Sequence, residues 1–273
     1  MIKFFSLFLN ATSGLFKTLN GKLAFNLMCR VKQTNKESIP NDFLDRALTT
    51  KVNIDGYEGT VYKIGKGAKS VLFLHGWRSH SARWSTVVGS IDLDEFTCYA
   101  LDAPAHGRSA GDSLQLEIYR KFVINTIADA HGLHAIVAHS LGGLVTAYAY
   151  LLDPKIAVDR FIITGAPSGM DAIYGFFKQI VQLNAAVMKN MDNYINANVT
   201  KIPSLEIRLD SFFKQVDKPI LVIHDEDDRI CPIEPIKKGA DKNQNIETYF
   251  TNGLGHDLQA NAVNERMIEF LKA

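Results

Sequence analysis

The sequence predicts an α/β fold with a mostly parallel central sheet that is covered by helices on both faces. Five short apolar runs rich in β-branched residues recur between residues 70 and 225, and helical patterns such as 113–130 and 141–152 lie between them. Strands that are apolar on both faces belong inside a covered sheet. Alternation of such strands with helices makes the sheet parallel.

Each predicted strand rests on one run of residues. The five central runs are SVLFLH at 70–75, TCYALD at 97–102, HAIVAH at 134–139, RFIITG at 160–165 and PILVIHD at 219–225. Before them, the pieces 48–54 and 59–64 predict a hairpin with Gly56 and Gly59 in its connection. A late strand at 248–253 and a closing helix at 261–273 complete the predicted order.

The chain divides into three predicted parts. Residues 1–47 are expected to form N-terminal helices followed by a polar linker at 31–42, and residues 48–165 and 216–273 to form the α/β core. Residues 166–215 are expected to form a small helical cap inserted in the core, because helical stretches follow one another there without a strand between them. Such an insertion covers the carboxyl edge of the sheet, where open α/β sheets bind ligands.

The N-terminal segment begins MIKFFSLFLNATSGLF, a weak version of a secretory signal that Asn10 interrupts. We expect one or two amphipathic helices over residues 2–30, packed on the domain through Phe4, Phe5, Phe8, Leu15, Phe16, Leu19 and Leu23. We therefore expect a cytoplasmic protein. A periplasmic location, or a weak association with a membrane surface through this segment, is the alternative.

The composition narrows the class of protein. A formal net charge of +1 over 273 residues gives no electrostatic reason to expect a nucleic-acid partner. The three cysteines, Cys29, Cys98 and Cys231, are widely spaced and form no CxxC motif, which fits a reducing compartment. Nothing in the sequence indicates an oligomeric state.

The stretch AIVAHSLGGLVTAYAY at 135–150 places a serine between an apolar strand and an apolar helix. Ala138, Ser140 and Gly142 match the small-x-Ser-x-Gly pattern of a nucleophile elbow, with alanine in place of the more usual glycine. The alternative is a tight turn whose serine only caps the helix. If the serine is a nucleophile, the helix N-terminus also directs N–H groups at a developing oxyanion.

A serine nucleophile needs a base and an acid that orients the base, and both follow in the expected chain order. His256 follows the last predicted strand, and the preceding strand leads into a loop with Asp225, Asp227 and Asp228. Asp228 is the predicted acid because of its spacing from His224 and Pro232. Asp225 and Asp227 are expected to be solvated or to order the loop, and Asp171 is the competing acid. A metal site in this acidic loop is the less favoured interpretation, since no second ligand group is evident.

The oxyanion hole also has candidates. The strand at 70–75 ends in His75-Gly76-Trp77, so Gly76 lets the backbone turn and the N–H of Trp77 can join that of Leu141 around an oxyanion. Asp102 and His106 in LDAPAHGRS are expected to stabilise the loop after their strand, and His139 to pack beneath the elbow.

Five segments together resemble the α/β-hydrolase superfamily: FLHGW, LDAPAHGRS, AHSLGG, VIHDEDDRICP and GLGHD. The resemblance covers about residues 48–273 and is closest to small bacterial serine hydrolases of the esterase or serine aminopeptidase-like type. It implies the α/β-hydrolase fold and a triad of Ser140, Asp228 and His256. Serine at the elbow argues against the dehalogenases and epoxide hydrolases of this superfamily, which use an aspartate nucleophile.

The expected function is hydrolysis of an ester-type bond in a small or medium acyl substrate, without a cofactor or metal. Peptidase, thioesterase, C–C hydrolase and acyltransferase activities use the same triad, and substrate choice depends on the pocket and cap. A non-catalytic ligand-binding protein of the same fold is the remaining alternative.

Overall fold

Eight strands form one sheet in the computed structural model, which describes residues 2–32, 41–241 and 243–273. In chain order they are β1 (Leu48–Ile54), β2 (Tyr57–Gly65), β3 (Lys69–Leu74), β4 (Phe96–Asp102), β5 (Leu133–His139), β6 (Val158–Thr164), β7 (Ile220–Asp225) and β8 (Ile246–Thr251). Their spatial order is β1-β2-β4-β3-β5-β6-β7-β8. Strand β2 pairs antiparallel with both of its neighbours, β1 and β4, and all the other neighbouring pairs are parallel. The predicted mostly parallel sheet is confirmed.

The helices of the described residues connect these strands and extend the chain at its N-terminus. They are α1 (Ile2–Thr12), α2 (Lys17–Cys29), α3 (Asp42–Arg46), α4 (Ser85–Ser90), α5 (Leu116–Asp129), α6 (Leu141–Leu152), α7 (Met170–Val181), α8 (Ala185–Asn198), α9 (Leu209–Gln215), α10 (Glu234–Ala240) and α11 (Asn261–Lys272). The run in β3 is apolar throughout because both faces of the strand are buried. Leu72 and Leu74 belong to the core cluster on one face of the sheet, and Val71 and Phe73 belong to the cluster on the other face.

The predicted hairpin is formed by β1 and β2, but one of its glycines has a different role. Asp55 and Gly56 occupy the turn with φ of 52° and 82°, which matches the left-handed pair that a two-residue hairpin favours. Gly59 lies within β2 and not in the connection. A Cβ at Gly59 would lie 2.5 Å from the Phe122 ring, so packing against α5 requires the glycine.

The prediction for the N-terminal segment is right about its helices and wrong about their orientation. Most of the side chains that we expected to face inward face outward: Phe4, Phe8, Leu15, Phe16 and Leu19 are each more than half exposed, and Phe5 is 38% exposed. The buried side chains of α1 and α2 include Ser6, Leu9, Asn20, Ala24 and Phe25 instead. The cause is that polar side chains on the inward face find hydrogen-bond partners in α8 and in the residues that precede it.

The helices between β6 and β7 pack in two different ways. Helices α7 and α8 share an apolar cluster with α1, α2 and the Leu144 and Tyr148 side chains of α6. Helix α9 instead contacts α6 and α10, and its Leu209, Phe212 and Phe213 belong to the core cluster on one face of the sheet. Most of the predicted linker at 31–42 falls on residues 33–40, which lie outside the described residues.

No helix among the described residues is both long enough and apolar enough to cross a bilayer.

Candidate active site

Ser140 stands at the junction of β5 and α6 in a strained backbone conformation. Its φ is 53° and its ψ is −119°, values that a residue with a side chain seldom adopts and that cost about 1–3 kcal/mol. A hydrogen bond from the Ser140 N–H to the Thr164 carbonyl oxygen (2.9 Å) stabilises this conformation. A Cβ at Gly142 would lie 2.8 Å from the Leu74 carbonyl oxygen, so helix and sheet meet closely here. The turn therefore has the form of a nucleophile elbow.

The structure brings the three predicted triad residues into one hydrogen-bonded chain. Nε2 of His256 lies 3.1 Å from Oγ of Ser140, and Nδ1 of His256 lies 2.8 Å from Oδ2 of Asp228. Since a carboxylate only accepts, Nδ1 carries the proton and Nε2 presents a lone pair to the serine hydroxyl. This is the arrangement by which a histidine takes a proton from a serine nucleophile.

Asp228 is buried and surrounded by donors. Its Oδ1 accepts hydrogen bonds from the N–H groups of Ile230 (2.9 Å) and Cys231 (2.8 Å). Burial acts to raise the pKa of Asp228, but hydrogen bonds from His224, His256 and the Cys231 N–H outweigh it and hold the pKa well below its usual range. The carboxylate is therefore ionised and able to stabilise a positively charged His256.

The other acids named from the sequence do not contact His256. Asp225 is buried, accepts hydrogen bonds from Thr251 Oγ1 (2.7 Å) and the Leu254 N–H (3.0 Å), and so ties the acid loop to the loop that carries His256. Asp227 is exposed and accepts from the Gly253 N–H. Asp171 lies in the first turn of α7 and forms an ion pair with Arg208 (2.7 Å).

The loop after β3 approaches the serine closely. A Cβ at Gly76 would lie 2.7 Å from the Cβ of Ser140, so only glycine fits there without displacement. The next residue, Trp77, is 36% exposed, and its ring meets the ring of His106 edge-on. Leu141 begins α6, so its N–H has no acceptor within the helix. The oxyanion hole formed by the N–H groups of Trp77 and Leu141 stays a prediction.

A buried polar network fixes this loop. His75 accepts a hydrogen bond at Nε2 from the Ala103 N–H (3.0 Å) and donates from Nδ1 to the Gly76 carbonyl oxygen (2.7 Å). Burial lowers the pKa of His75 to about 3, so the ring is neutral, as both bonds require. Asp102 accepts from the N–H groups of Ser81 (2.7 Å) and Arg108 (2.8 Å). Asp102 thus orders the loop after its own strand β4, as expected, and it also orders the segment after β3.

His139 supports the base from beneath. Its Nε2 donates to the carbonyl oxygen of His256 (2.9 Å), and the centroids of the two rings are 5.0 Å apart. Burial lowers the pKa of His139 well below its ordinary value, so its ring is neutral. The residue thus anchors the backbone of the loop that presents His256.

His224 was missed as a contributor to the site. Its Nε2 donates to the Cys231 carbonyl oxygen (2.7 Å) and lies 3.4 Å from Oδ2 of Asp228. The spacing from His224 to Asp228 was used only to choose the acid. A histidine at the end of a buried strand, four residues before that acid, was the signal that it contacts the carboxylate.

One group of side chains has the composition of a metal site. Ligand atoms of Asp228, Cys231 and His256 lie within 4.8 Å of one another. A thiol binds a metal as its thiolate, and burial, with Asp228 nearby, raises the pKa of Cys231 far above its ordinary value. The residues fit a proton-transfer site better than a metal site, because His256 Nδ1 and Asp228 already hydrogen-bond each other.

Comparison with known proteins identifies relatives of the chain. A model of the alpha/beta hydrolase family matches residues 71–265. A pimeloyl-[acyl-carrier protein] methyl ester esterase of Stenotrophomonas maltophilia is 35% identical over 92 residues, which is 34% of this chain and 34% of that enzyme. The matched part thus spans about a third of the length of that relative.

Two further likenesses extend over more of the chain. A non-heme haloperoxidase of Rhodococcus erythropolis is 23% identical over 80% of this chain and 97% of its own length. The solved structure of Est1E from Butyrivibrio proteoclasticus superposes with a TM-score of 0.63 at 17% identity, over 82% of this chain and 97% of that one. At that identity the superposition demonstrates a shared fold.

Proposed function

Because the chain belongs to the α/β-hydrolase family, we propose that it is a serine hydrolase that cleaves an ester-type bond of a small or medium acyl substrate. One observation carries the proposal above all others. The Oγ of Ser140, on a strained turn at the carboxyl edge of the sheet, lies 3.1 Å from a histidine that Asp228 orients.

The proposed reaction begins with Ser140 as nucleophile. His256 Nε2 takes the hydroxyl proton while Oγ attacks the carbonyl carbon of the ester. The N–H groups of Trp77 and Leu141 stabilise the oxyanion that forms, and a single such donor is commonly worth about 3 kcal/mol of barrier. Asp228 keeps the proton of His256 on Nδ1 and stabilises the imidazolium.

Collapse of the tetrahedral intermediate completes the first half. The C–O bond to the alcohol breaks, His256 returns its proton to the leaving oxygen, and the acyl group stays on Ser140. In the second half, His256 deprotonates a water that attacks the acyl-enzyme. The products are a carboxylic acid and the free serine.

An ester is favoured over a peptide by the state of the acids in residues 166–215. A peptidase that acts on free N-termini needs a carboxylate to bind the amine. Asp171 and Asp210 both pair with Arg208, and Asp192 accepts a hydrogen bond from Ser204. Three of the four carboxylates of this segment thus have partners within it, and the fourth, Glu206, is exposed. The relatives whose names state an ester substrate support the same choice.

The test is hydrolysis of p-nitrophenyl acetate, butyrate and octanoate by the wild type and by Ser140→Ala. We expect the wild type to hydrolyse these esters. In the variant we expect kcat to fall about 10⁴-fold or more, because the nucleophile is lost. Ser90→Ala, at an exposed serine of α4, is the matched control and should keep full activity. Wild-type rates in Ser140→Ala would disprove the proposal.

A further inference from the structure

Helices α1 and α2 present a large apolar surface to the solvent. We call the N-terminal apolar surface the exposed side chains of Phe4, Leu7, Phe8, Leu15, Phe16 and Leu19, each more than half exposed. Two of them, Phe4 and Leu15, are exposed by 84% and 77%. A single exposed leucine needs no explanation, but six large apolar side chains within sixteen residues mark an interaction site.

Hydrogen bonds hold the helices in this orientation. The inward face of α1 carries Ser6, whose Oγ donates to the Gln182 carbonyl oxygen (3.2 Å) at the end of α7. Asn20 of α2 is buried, donates to the Leu9 carbonyl oxygen (2.8 Å) and accepts from Asn190 of α8 (3.1 Å). Rotation of the helices to bury their phenylalanines would break these bonds and leave buried polar groups without partners.

Close contact between α2 and α8 excludes such a rotation sterically as well. A Cβ at Gly21 would lie 2.2 Å from the Asn190 carbonyl oxygen, so the two backbones meet at a glycine. Asn190 also donates to the Ser13 carbonyl oxygen (2.9 Å) in the turn between α1 and α2. The apolar residues therefore face outward because the polar residues and the glycine face the protein.

The charge around this surface is strongly one-sided. Residues 1–36 contain no aspartate or glutamate, although the whole chain has a net charge of only +1. Five basic side chains of the described part of this segment are exposed: Lys3, Lys17, Lys22, Arg30 and Lys32. Apolar side chains flanked by lysine are typical of helices that lie in the interface of an anionic membrane.

Helix α7, which lies next to α1, also exposes apolar and basic side chains. Phe176 and Ile180 of α7, the helix that contacts α1, are 48% and 56% exposed. Lys178 lies between them and is exposed too.

We propose that the N-terminal apolar surface docks this protein on an anionic lipid bilayer. The phenylalanine and leucine side chains enter the boundary between headgroups and acyl chains, and the lysines contact the anionic headgroups. Docking through this surface requires the exposure and charge of α1 and α2 and does not require a catalytic Ser140.

Vesicle co-sedimentation of the full chain tests the proposal. We compare vesicles of phosphatidylcholine with vesicles in which about a third of the lipid is phosphatidylglycerol, at low and high NaCl. We expect binding to the anionic vesicles, weaker binding to the neutral ones, and a severalfold loss of binding at high salt.

Three variants separate the contributions. Phe4→Gln with Leu15→Gln removes apolar contact without changing charge and should lower the partition coefficient at least tenfold. Lys17→Gln with Lys22→Gln should lower binding to anionic vesicles only. Leu48→Gln, at an apolar side chain of β1 that is 68% exposed, is the matched control and should bind as the wild type does. Thermal unfolding confirms that each variant is folded.

Two results would overturn the proposal. One is an absence of wild-type binding to anionic vesicles, or equal binding by the wild type and the Phe4/Leu15 variant. The other is a wild-type dimer in light scattering that this variant converts to a monomer, because a second copy of the chain would then cover the surface.

Discussion

Replacement of Asp228 by asparagine isolates the role of the carboxylate, because the two side chains have the same shape. Oδ1 keeps its bonds from the N–H groups of Ile230 and Cys231, which lie at 2.9 and 2.8 Å. The amide nitrogen takes the place of Oδ2 and meets the Nδ1–H of His256, donor against donor. His256 relieves this conflict by moving its proton to Nε2, where it can no longer accept the proton of Ser140.

The expected loss follows from that change of tautomer. In a serine triad it lowers kcat by about 10⁴-fold, which corresponds to about 5.5 kcal/mol of barrier at 1.36 kcal/mol per decade. We would measure kcat and KM for a p-nitrophenyl ester together with the midpoint of thermal unfolding.

Asp225→Asn is the matched control. Asp225 is also buried and also accepts hydrogen bonds at both oxygens, but it contacts Thr251, Leu254 and Asp227 and not His256. We expect a loss of stability of about 1–3 kcal/mol and a fall in kcat of at most about tenfold. Asp228 does not orient His256 if Asp228→Asn keeps kcat within tenfold of the wild type, or if Asp171→Asn, at the competing acid, impairs turnover as severely.

Two further predictions concern the loop beside Ser140 and the acid loop. Gly76→Ala places a Cβ 2.7 Å from the Cβ of Ser140, so displacement of the loop should lower kcat about 10²-fold. Gly89→Ala is the control, because no atom lies within 4 Å of its new Cβ, and it should keep the wild-type kcat. We would measure kcat of both variants by steady-state kinetics, and equal values would contradict a close approach of Gly76 to Ser140. Asp228, with its lowered pKa, contributes stability that is complete above the unfolded pKa of about 3.9 and is lost as the pH falls below it. The unfolding free energy in urea should therefore fall more steeply from pH 5 to pH 3 in the wild type than in Asp228→Asn, and identical slopes would refute this.

The central strands could be predicted from the sequence because a strand that is buried on both faces is a continuous run of apolar residues. Runs such as the one in β3 are apolar at every position, since each face of the sheet packs against its own layer of helices. The side chains that meet at the elbow could be named for a related reason. Parallel strands bring the loops after β5, β7 and β8 to one edge, so chain order alone puts Ser140, Asp228 and His256 near each other.

The orientation of the N-terminal helices could not be predicted in the same way. Periodicity identifies an apolar face, and the ordinary assumption is that this face is buried. Here Asn20 and Ser6 form hydrogen bonds to α8 and to the end of α7, partners more than 160 residues away in the chain. The role of Gly59 was missed for the same reason, because the Phe122 ring that requires it lies on α5.

Labelling with a fluorophosphonate probe tests whether Ser140 is an activated nucleophile. The wild type and His256→Ala are compared by intact-mass and peptide analysis. We expect a single adduct on Ser140 in the wild type and its loss when His256 is removed, because only a serine activated by that base reacts readily. An unmodified Ser140 in the folded wild type, or equal labelling without His256, would contradict the claim that these residues form a working nucleophile.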